Sequence, residues 1–377
     1  MNGLFLLKRE LRQIFIVDKR RGIFIMGASL AYLILFSWLY MTSVVNAVPV
    51  AVLDEDQTMF SRSLIQSLDD SERLNITEYV SSEADMEEAL REKRVYAAVH
   101  VPKNFTKEAK AGRSTSVLIL ADGANIIIAN AVTNAAQEII AAFSRRTSTG
   151  LLEMQVGQLA QAAENKAGAI DLRFRVLNNP TQSYLYFFVI GLAMAALQQG
   201  IFLAVGAGVQ ADKASEDFKG IHPATVVLAK LLPYYALGIS AFFLTVFVAV
   251  QFINLPCRAA FGSLFLLAGG FVFAAVGFSA LLASVCRDEL LFTRLSIIYT
   301  VPAFVLSGYT WPQEAMGFFS RGLSYTFPLS YVSNTMRELM IAGYSPGLHR
   351  NSLILFSIGI SLTSITVLRE IRRQRHG

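Results

Sequence analysis

Charge is in short supply in this chain. Charged residues make up 16% of its 377 positions, against 54% hydrophobic ones, where a water-soluble domain carries roughly 25% charged residues. A chain of this composition is not folded wholly in water. Cysteine is scarcer still, with two residues in all, Cys257 and Cys286. The apolar pattern puts them a bilayer apart, too far for an intrachain disulfide. The four histidines, His100, His222, His349 and His376, are scattered along the chain and have no metal-ligand spacing. No G-x-x-x-x-G-K-[ST] run is present, so the chain does not itself cradle nucleotide phosphates. Nor is there a G-x-S-x-G, an H-E-x-x-H or a paired His–carboxylate pattern, which removes the usual nucleophilic and metal-assisted enzyme classes. Finally, the long apolar runs hold essentially no ionisable residue. Lys230 and Arg294 lie near run ends. A carrier driven by protons or sodium needs titratable groups near the bilayer midplane, so that class is disfavoured too.

What is present is a set of apolar runs, at residues 23–45, 184–209, 226–253, 260–285, 295–306 and 352–368. A spanning helix needs roughly 20 residues at 1.5 Å rise. Four runs reach that length, the last is marginal, and the fifth needs its flanks, residues 290–309, to cross. Six spans result. The first run is too long for the apolar core of a cleaved signal peptide and is expected to stay. The basic residues outside the 46–183 segment concentrate at Lys8, Arg9, Arg12, Lys19, Arg20 and Arg21, and at Arg369, Arg372, Arg373 and Arg375. Basic flanks stay cytoplasmic, so both termini are expected inside, in agreement with an even number of spans. Beside apolar spans, these clusters do not read as a nucleic-acid surface.

The chain therefore divides into an amphipathic interfacial helix (1–21), a first span (22–45), an extracytoplasmic domain (46–183) and a membrane part with spans two to six (184–377). The N-terminal helix places Leu4, Leu7, Leu11, Ile14 and Phe15 at three- and four-residue steps. Segment 46–183 alternates strand and helix: strands at 49–53, 74–80, 96–101 and 116–120, with helices at 59–68 and 85–92. That pattern predicts a small α/β domain. Residues 125–167, rich in Ala, Gln and Asn, predict two helices with a break at 147–150. Two readings stay open for them: a shield over the domain, or a docking surface for a periplasmic adaptor of the membrane-fusion type. Between spans two and three, the cytoplasmic loop 210–224 collects Asp212, Lys213, Glu216, Asp217, Lys219, Gly220, His222 and Pro223. The turns at 254–258 and 287–289 are tight.

The stretch Leu306-Ser307-Gly308-Tyr309-Thr310-Trp311-Pro312 ends the fifth run with a Gly, two aromatics with polar tips and a Pro. It predicts a helix that stops and turns back, followed by two short helical pieces at 314–323 and 331–342 in a re-entrant segment (307–349). This stretch, with Glu314-Ala315-Met316 behind it, resembles the segment after the fifth span of type-2 ABC exporter permeases. The run from Gly220 to Tyr234 resembles that family's passage from coupling loop into third span. Phe327-Pro328-Leu329 with Arg337 and Gly343 resembles its region before the last span. The order of parts also matches, although the chain lacks the Glu-x-Glu-x-Gly-Thr run that members often carry early in the coupling loop.

The resemblance implies an α-helical integral membrane protein: six transmembrane helices with re-entrant outer helices, plus an α/β extracytoplasmic domain, in a bacterial inner membrane. It implies no enzyme activity and no cofactor in this chain, with ATP and Mg held by a separate nucleotide-binding subunit. Two copies of the chain would pair. The 210–224 residues named above would receive the ATPase stroke, and Ser307, Gly308, Tyr309, Thr310, Trp311 and Pro312 would form an outer gate, with Gly308 and Pro312 facing the partner copy or the exit. Tyr309 and Trp311 also fit as interfacial belt aromatics. An alternative function is a sensor or assembly protein whose outer domain binds a ligand. The span composition suits an amphipathic or hydrophobic cargo.

Overall fold

Asp18 interrupts the N-terminal helix. The computed structural model describes residues 3–41, 44–111, 113, 115–156, 178–179, 183–213 and 221–376. Helix α1 (Gly3–Arg12) runs into a π-helical turn at Gln13–Val17, and the chain leaves helical geometry at Asp18 (φ −123°, ψ 76°) before α2 (Lys19–Leu39) begins. The basic triplet Lys19–Arg21, expected at the end of the interfacial helix, is instead the first turn of the span. The reason is local. Asp18 accepts from Arg20 Nε at 2.8 Å and Arg21 Nε at 3.2 Å, which fixes a corner there. The bond from Arg20, with Arg21 beside it, holds the Asp18 carboxyl below the ordinary carboxylate range.

The chain falls into two compact units, 44–175 and the remainder, 1–43 with 176–377. The first is an α/β unit. Its strands are β1 (Val48–Asp54), β2 (Leu74–Tyr79), β3 (Ala97–Val101) and β4 (Leu118–Ala121), in the order β2-β1-β3-β4. β1 pairs in parallel with β2 and β3, while β4 runs antiparallel to β3. Alternate β1 residues face opposite layers, as the pleat requires. Val48, Val50 and Val52 pack with Leu64, Ile65 and Leu68 of α3 (Met59–Asp69), and with Val132 and Ala136 of α6 (Ile126–Val156). Ala51 and Leu53 pack with Met86 and Ala89 of α4 (Glu83–Arg91). A short α5 (Phe105–Lys110), not expected from the sequence, contributes Phe105 to the first layer. The break expected at 147–150 does not occur: α6 continues to Val156, and the Thr147 hydroxyl donates back to the Phe143 carbonyl at 2.9 Å. A single Gly at position 150 costs a helix only about 1 kcal/mol, less than two new helix ends. What the sequence set apart as a second helix after that break begins as part of α6, and its remainder, 157–167, lies outside the described residues.

The second unit holds α1 and α2 together with α7 (Tyr184–Asp212), α8 (Pro223–Gln251), α9 (Phe261–Val285), α10 (Glu289–Val305), α11 (Phe318–Ser324), α12 (Pro328–Ala342) and α13 (Leu348–His376). Among the described residues, six helices are long and apolar enough to cross a membrane. Five match the expected spans: α2, α7, α8, α9 and α13. The sixth is Ile126–Thr147 within α6, whose Val132, Ala135 and Ala136 pack into the core of the α/β unit. The expected fifth span, α10, has 17 residues, about 26 Å at 1.5 Å per residue against a hydrocarbon core of about 30 Å. It is short because residues 306–309, which the span reading borrowed, belong to the turn.

α7 is the centre of this unit. Of its apolar window 78% is buried, against 17% for α2. Lipid supplies no hydrophobic drive between helices, so close backbone approach has to. A Cβ on Gly200 of α7 would lie 2.2 Å from the Phe24 carbonyl of α2, and one on Gly277 of α9 would lie 3.1 Å from the Gly359 carbonyl of α13. Polar bonds join further pairs: Ser29 of α2 to Thr245 of α8 at 2.7 Å, and Ser279 of α9 to the Phe202 carbonyl of α7 at 2.9 Å.

Candidate functional site: a polar knot at each end of α7

Three cations and three carboxylates meet at the C-terminal end of α7. Glu10 of α1 is 3% exposed, although it sits in the most basic stretch of the chain. Its Oε1 accepts from the Tyr234 hydroxyl at 2.7 Å and lies 3.5 Å from Arg21 Nη1. Its Oε2 lies 3.5 Å from Lys230 Nζ. Lys230 also pairs with Asp212, whose other oxygen takes Arg9 Nη2 at 3.2 Å. Arg21 closes the set through Tyr234 at 3.3 Å and Asp18 at 3.2 Å. The knot thus ties α1, the Asp18 corner, the end of α7 and the third and fourth turns of α8 into one body. Gly208 of α7 makes the room, since a Cβ there would lie 2.3 Å from the Tyr234 hydroxyl. Fully paired, such a group costs little; with one partner removed it strands a buried charge.

The expected coupling residues separate into three groups. Asp212 is drawn inward into the knot. Lys213 donates to the Ala283 carbonyl at 2.8 Å and to the Cys286 carbonyl, and its own carbonyl accepts from Arg373 at 2.9 Å, so it clasps the ends of α7, α9 and α13 together. His222 and Pro223 start α8: the imidazole Nδ1 accepts from the Ala224 N–H at 3.3 Å, and Pro223 fills the first turn, where its missing N–H is no loss. Glu216, Asp217, Lys219 and Gly220 lie outside the described residues.

The second knot lies near the other end of α7, about 26 Å from Gly208 along the helix at Gly191. Here α10 stops at the expected turn. Gly308 takes φ +83°, and a Cβ there would lie 2.8 Å from Gln313 Cγ and 2.9 Å from Asn334 Nδ2, so position 308 admits no side chain. Ser307 is buried; its hydroxyl donates to the Phe304 carbonyl at 2.6 Å and accepts from the Tyr309 N–H at 3.2 Å. Thr310 donates to the Val305 carbonyl at 3.0 Å. Arg321 of α11 gathers the carbonyls of Gln313, Glu314 and Met316.

The two aromatics of the turn have opposite fates. Trp311 is 59% exposed, as a belt residue would be, and Pro312 beside it is exposed. Tyr309 is 1% exposed. Its ring fills the place where Gly191 has no side chain, 2.2 Å from where a Cβ would stand, and its hydroxyl accepts from the Gly191 N–H at 3.0 Å. Phe187, Phe188 and Phe304 surround the ring. Arg337 of α12 lies 4.2 Å over the Phe187 ring and 4.9 Å from that of Tyr309, close enough for cation–π attraction. Gly308 is turned into the chain itself, against Gln313 and Asn334.

The sequence reading missed Glu10, Tyr234, Gly191 and Gly208. A signal existed for Glu10, the only acidic residue in the first 17 positions. For the two glycines of a Gly-rich span none did.

These features define the class: a multi-pass membrane protein with no nucleotide-phosphate motif of its own, and with a charged end tied to an amphipathic helix. The family model for ABC-2 family transporter proteins matches residues 20–368, and the chain belongs to that family. Among its relatives, the "Probable multidrug ABC transporter permease YbhS" of Escherichia coli K12 is 23% identical over 296 residues, 74% of each chain. The "Probable multidrug ABC transporter permease YbhR" of the same organism is 21% identical over 355 residues, 92% of each chain. The "ABC transporter G family member 20" of Dictyostelium discoideum is 23% identical over 154 residues, 40% of this chain and 21% of that one. The chain is thus an ABC permease subunit, not an ATPase. Permeases of this class work with a nucleotide-binding subunit, and no cofactor is expected in this chain.

Proposed function

We propose that the chain is the membrane half of an efflux pump in a bacterial inner membrane. Two copies pair as a homodimer, each with a nucleotide-binding subunit under its basic end, and they move an amphipathic or hydrophobic substrate outward. The carrying observation is the knot around Glu10. It fastens the amphipathic helix α1 to the ends of α7 and α8 that flank the 213–223 loop, so a push on the loop or on α1 reaches both spans as one rigid shift. The relatives' names supply the efflux reading, and the apolar faces of the spans suit such a cargo. In this reading the basic end is cytoplasmic, the α/β unit is extracytoplasmic, α10 crosses as the fifth span, and the 307–349 segment with α11 and α12 dips back into the outer leaflet. Non-helical backbone at that depth must be buried in protein or line a cavity, and the buried Ser307–Tyr309 turn meets that condition. A periplasmic adaptor docks on the α/β unit.

The test is reconstitution. The chain is co-expressed with its ATPase subunit, put into proteoliposomes, and assayed with a panel of cationic drugs, bile-type amphiphiles and lipids, with an ATPase-dead subunit as control. ATP-dependent movement of at least one amphiphile supports the proposal. ATPase activity intrinsic to the chain, or no association with any nucleotide-binding subunit, overturns it. Reversing Glu216 and Asp217 to Lys is expected to weaken co-purification of the ATPase; an unchanged pull-down removes the loop from the mechanism.

Sidedness has its own prediction. In a chain with Cys257 and Cys286 replaced by Ser, Trp311→Cys reacts with a membrane-impermeant thiol reagent added outside spheroplasts, and Asp288→Cys reacts only after lysis. The reverse pattern inverts the assignment.

A further inference from the structure

Helix α11 (Phe318–Ser324) is built inside out. A surface helix of a water-soluble domain turns its apolar side to the core and its polar side to water. At about 100° per residue, Phe318, Gly322, Phe319 and Leu323 fall on one continuous arc of α11, and Ser320, Arg321 and Ser324 on the other. The apolar arc is the outer one. Phe318 is 97% exposed, Phe319 80% and Leu323 39%, whereas Ser324 is buried. The one charge of the helix is turned inward, where Arg321 is spent on the carbonyls of Gln313, Glu314 and Met316.

Two phenylalanine rings held out in water forfeit the stabilisation that burial gives them, so this arc belongs against a phase without water. Its setting commits that phase to lipid. The chain arrives from α10, whose Val301 and Val305 are exposed in the same way. Trp311 and Tyr325, 59% and 48% exposed, bracket the helix in sequence, and aromatic rings with a polar tip collect at the membrane–water boundary. A protein interface brings hydrogen bonds and a polar rim with its apolar core; this arc offers neither. The inward side links the helix to the turn after α10. Arg321 makes α11 and residues 313–316 one piece, and Gln313 packs on Gly308, where a Cβ would lie 2.8 Å from its Cγ. The next residue is Tyr309, seated on Gly191.

We propose that α11 is a lipid-inserted handle on this turn. Phe318, Phe319 and Leu323 lie among acyl chains, Trp311 and Tyr325 mark the boundary, and Arg321 passes the depth of the helix to the Ser307–Tyr309 turn. How deep the bilayer draws α11 then biases the turn between its seated and unseated states. The insertion stands whether or not the chain exports a substrate; its effect on an outer gate rests on the export reading.

Fluorescence quenching tests the insertion. Trp38 and Trp311 are the two tryptophans of the chain. With both changed to Phe, Phe318→Trp becomes a single reporter in the full chain, reconstituted in phosphatidylcholine vesicles. Bromine on the acyl chains is expected to remove most of its emission, and aqueous acrylamide to remove little. Met59→Trp, at an 81% exposed position of the α/β unit, is expected to show the reverse. Acrylamide quenching of Phe318→Trp as strong as that of Met59→Trp overturns the insertion, and shielding from both quenchers overturns it in favour of a protein contact. The handle has its own readout. With Cys257 and Cys286 replaced by Ser, the buried thiol of Ser307→Cys is expected to react at rates that differ several-fold between dimyristoleoyl and dierucoyl phosphatidylcholine, bilayers of different thickness. Arg321→Gln, which leaves the aromatic arc intact, is expected to keep the bromine quenching and lose that difference; Phe318→Ser with Phe319→Ser is expected to lose the difference as well. Equal rates in the parent, or a difference that survives Arg321→Gln, overturns the handle. The Phe318→Trp reporter replaces one exposed ring by another and keeps the test decisive should the serine pair fail to fold.

Discussion

Glu10→Ala lowers the thermal stability of the purified permease by several degrees and abolishes ATP-driven export, and adding Lys230→Ala to the same chain recovers a large part of the stability. The charges decide this. The cations Arg9, Arg21 and Lys230 face Glu10, Asp18 and Asp212, with the exposed Arg20 on Asp18 from outside. Removing Glu10 leaves one buried positive charge unanswered, and breaking one side of such a pair costs about 3–5 kcal/mol. The loss here falls near the lower end, since Arg21 keeps Asp18 and Lys230 keeps Asp212. The double variant restores the balance, so its cost is well below the sum of the two single ones, as coupled neighbours require. Glu10→Gln retains an acceptor for Tyr234 but no charge, and falls between. Strict additivity of Glu10→Ala and Lys230→Ala would mean that the two do not share a network. Full export by Glu10→Ala would mean that α1 is not in the path of the stroke.

That network also marks the limit of what the sequence could say. The periodicity of the first helix put Leu4, Leu7, Leu11, Ile14 and Phe15 on an apolar side lying in the membrane interface. In the structure Leu11 and Phe15 are exposed, while Ile14 of that set is buried together with Leu6 and Glu10. For a helix lying along a membrane, lipid and protein compete for the apolar face, and a pattern read from one helix does not say which takes it. The four strands and the helices α3 and α4 of the α/β unit were readable to within about two residues, because turn signals and apolar runs agree there, while the short α5 was missed. The continuity of α6 was not, because a Gly in a Ser/Thr-rich stretch reads as a break unless its neighbours' backbone bonds are seen. The turn after α10 was legible from Gly308 and Pro312. The division of labour between Tyr309 and Trp311 was not, since it depends on Gly191, 118 residues away in the chain.

Gly191→Ala is the second large effect. One methyl group at position 191 would stand 2.2 Å from the Tyr309 ring carbon that bears the hydroxyl, with two more ring carbons within 2.5 Å. Neither side can yield cheaply. α7 is buried on most of its surface, and the ring is held by Phe187, Phe188 and Phe304 and covered by Arg337. Forcing a methylene into a packed core costs about 1–3 kcal/mol, and the relief available is to expel Tyr309. The turn would then lose its anchor on α7, so export falls at least tenfold while the complex with the ATPase still assembles. Tyr309→Ala alone removes the ring and costs about 3–5 kcal/mol, the range for deleting a large buried aromatic. Gly191→Ala with Tyr309→Leu is the informative pair: the smaller side chain clears the new methyl group, and stability recovers above that of Gly191→Ala. Tyr309→Phe, which loses only the acceptor for the Gly191 N–H, stays close to the parent in stability. A Gly191→Ala permease with unaltered melting and export would show that Tyr309 leaves its seat freely. The turn would then be a mobile cap on the outer end of the helices instead of a part locked to α7, and the stroke from the Glu10 knot would have to reach the outer face along another helix.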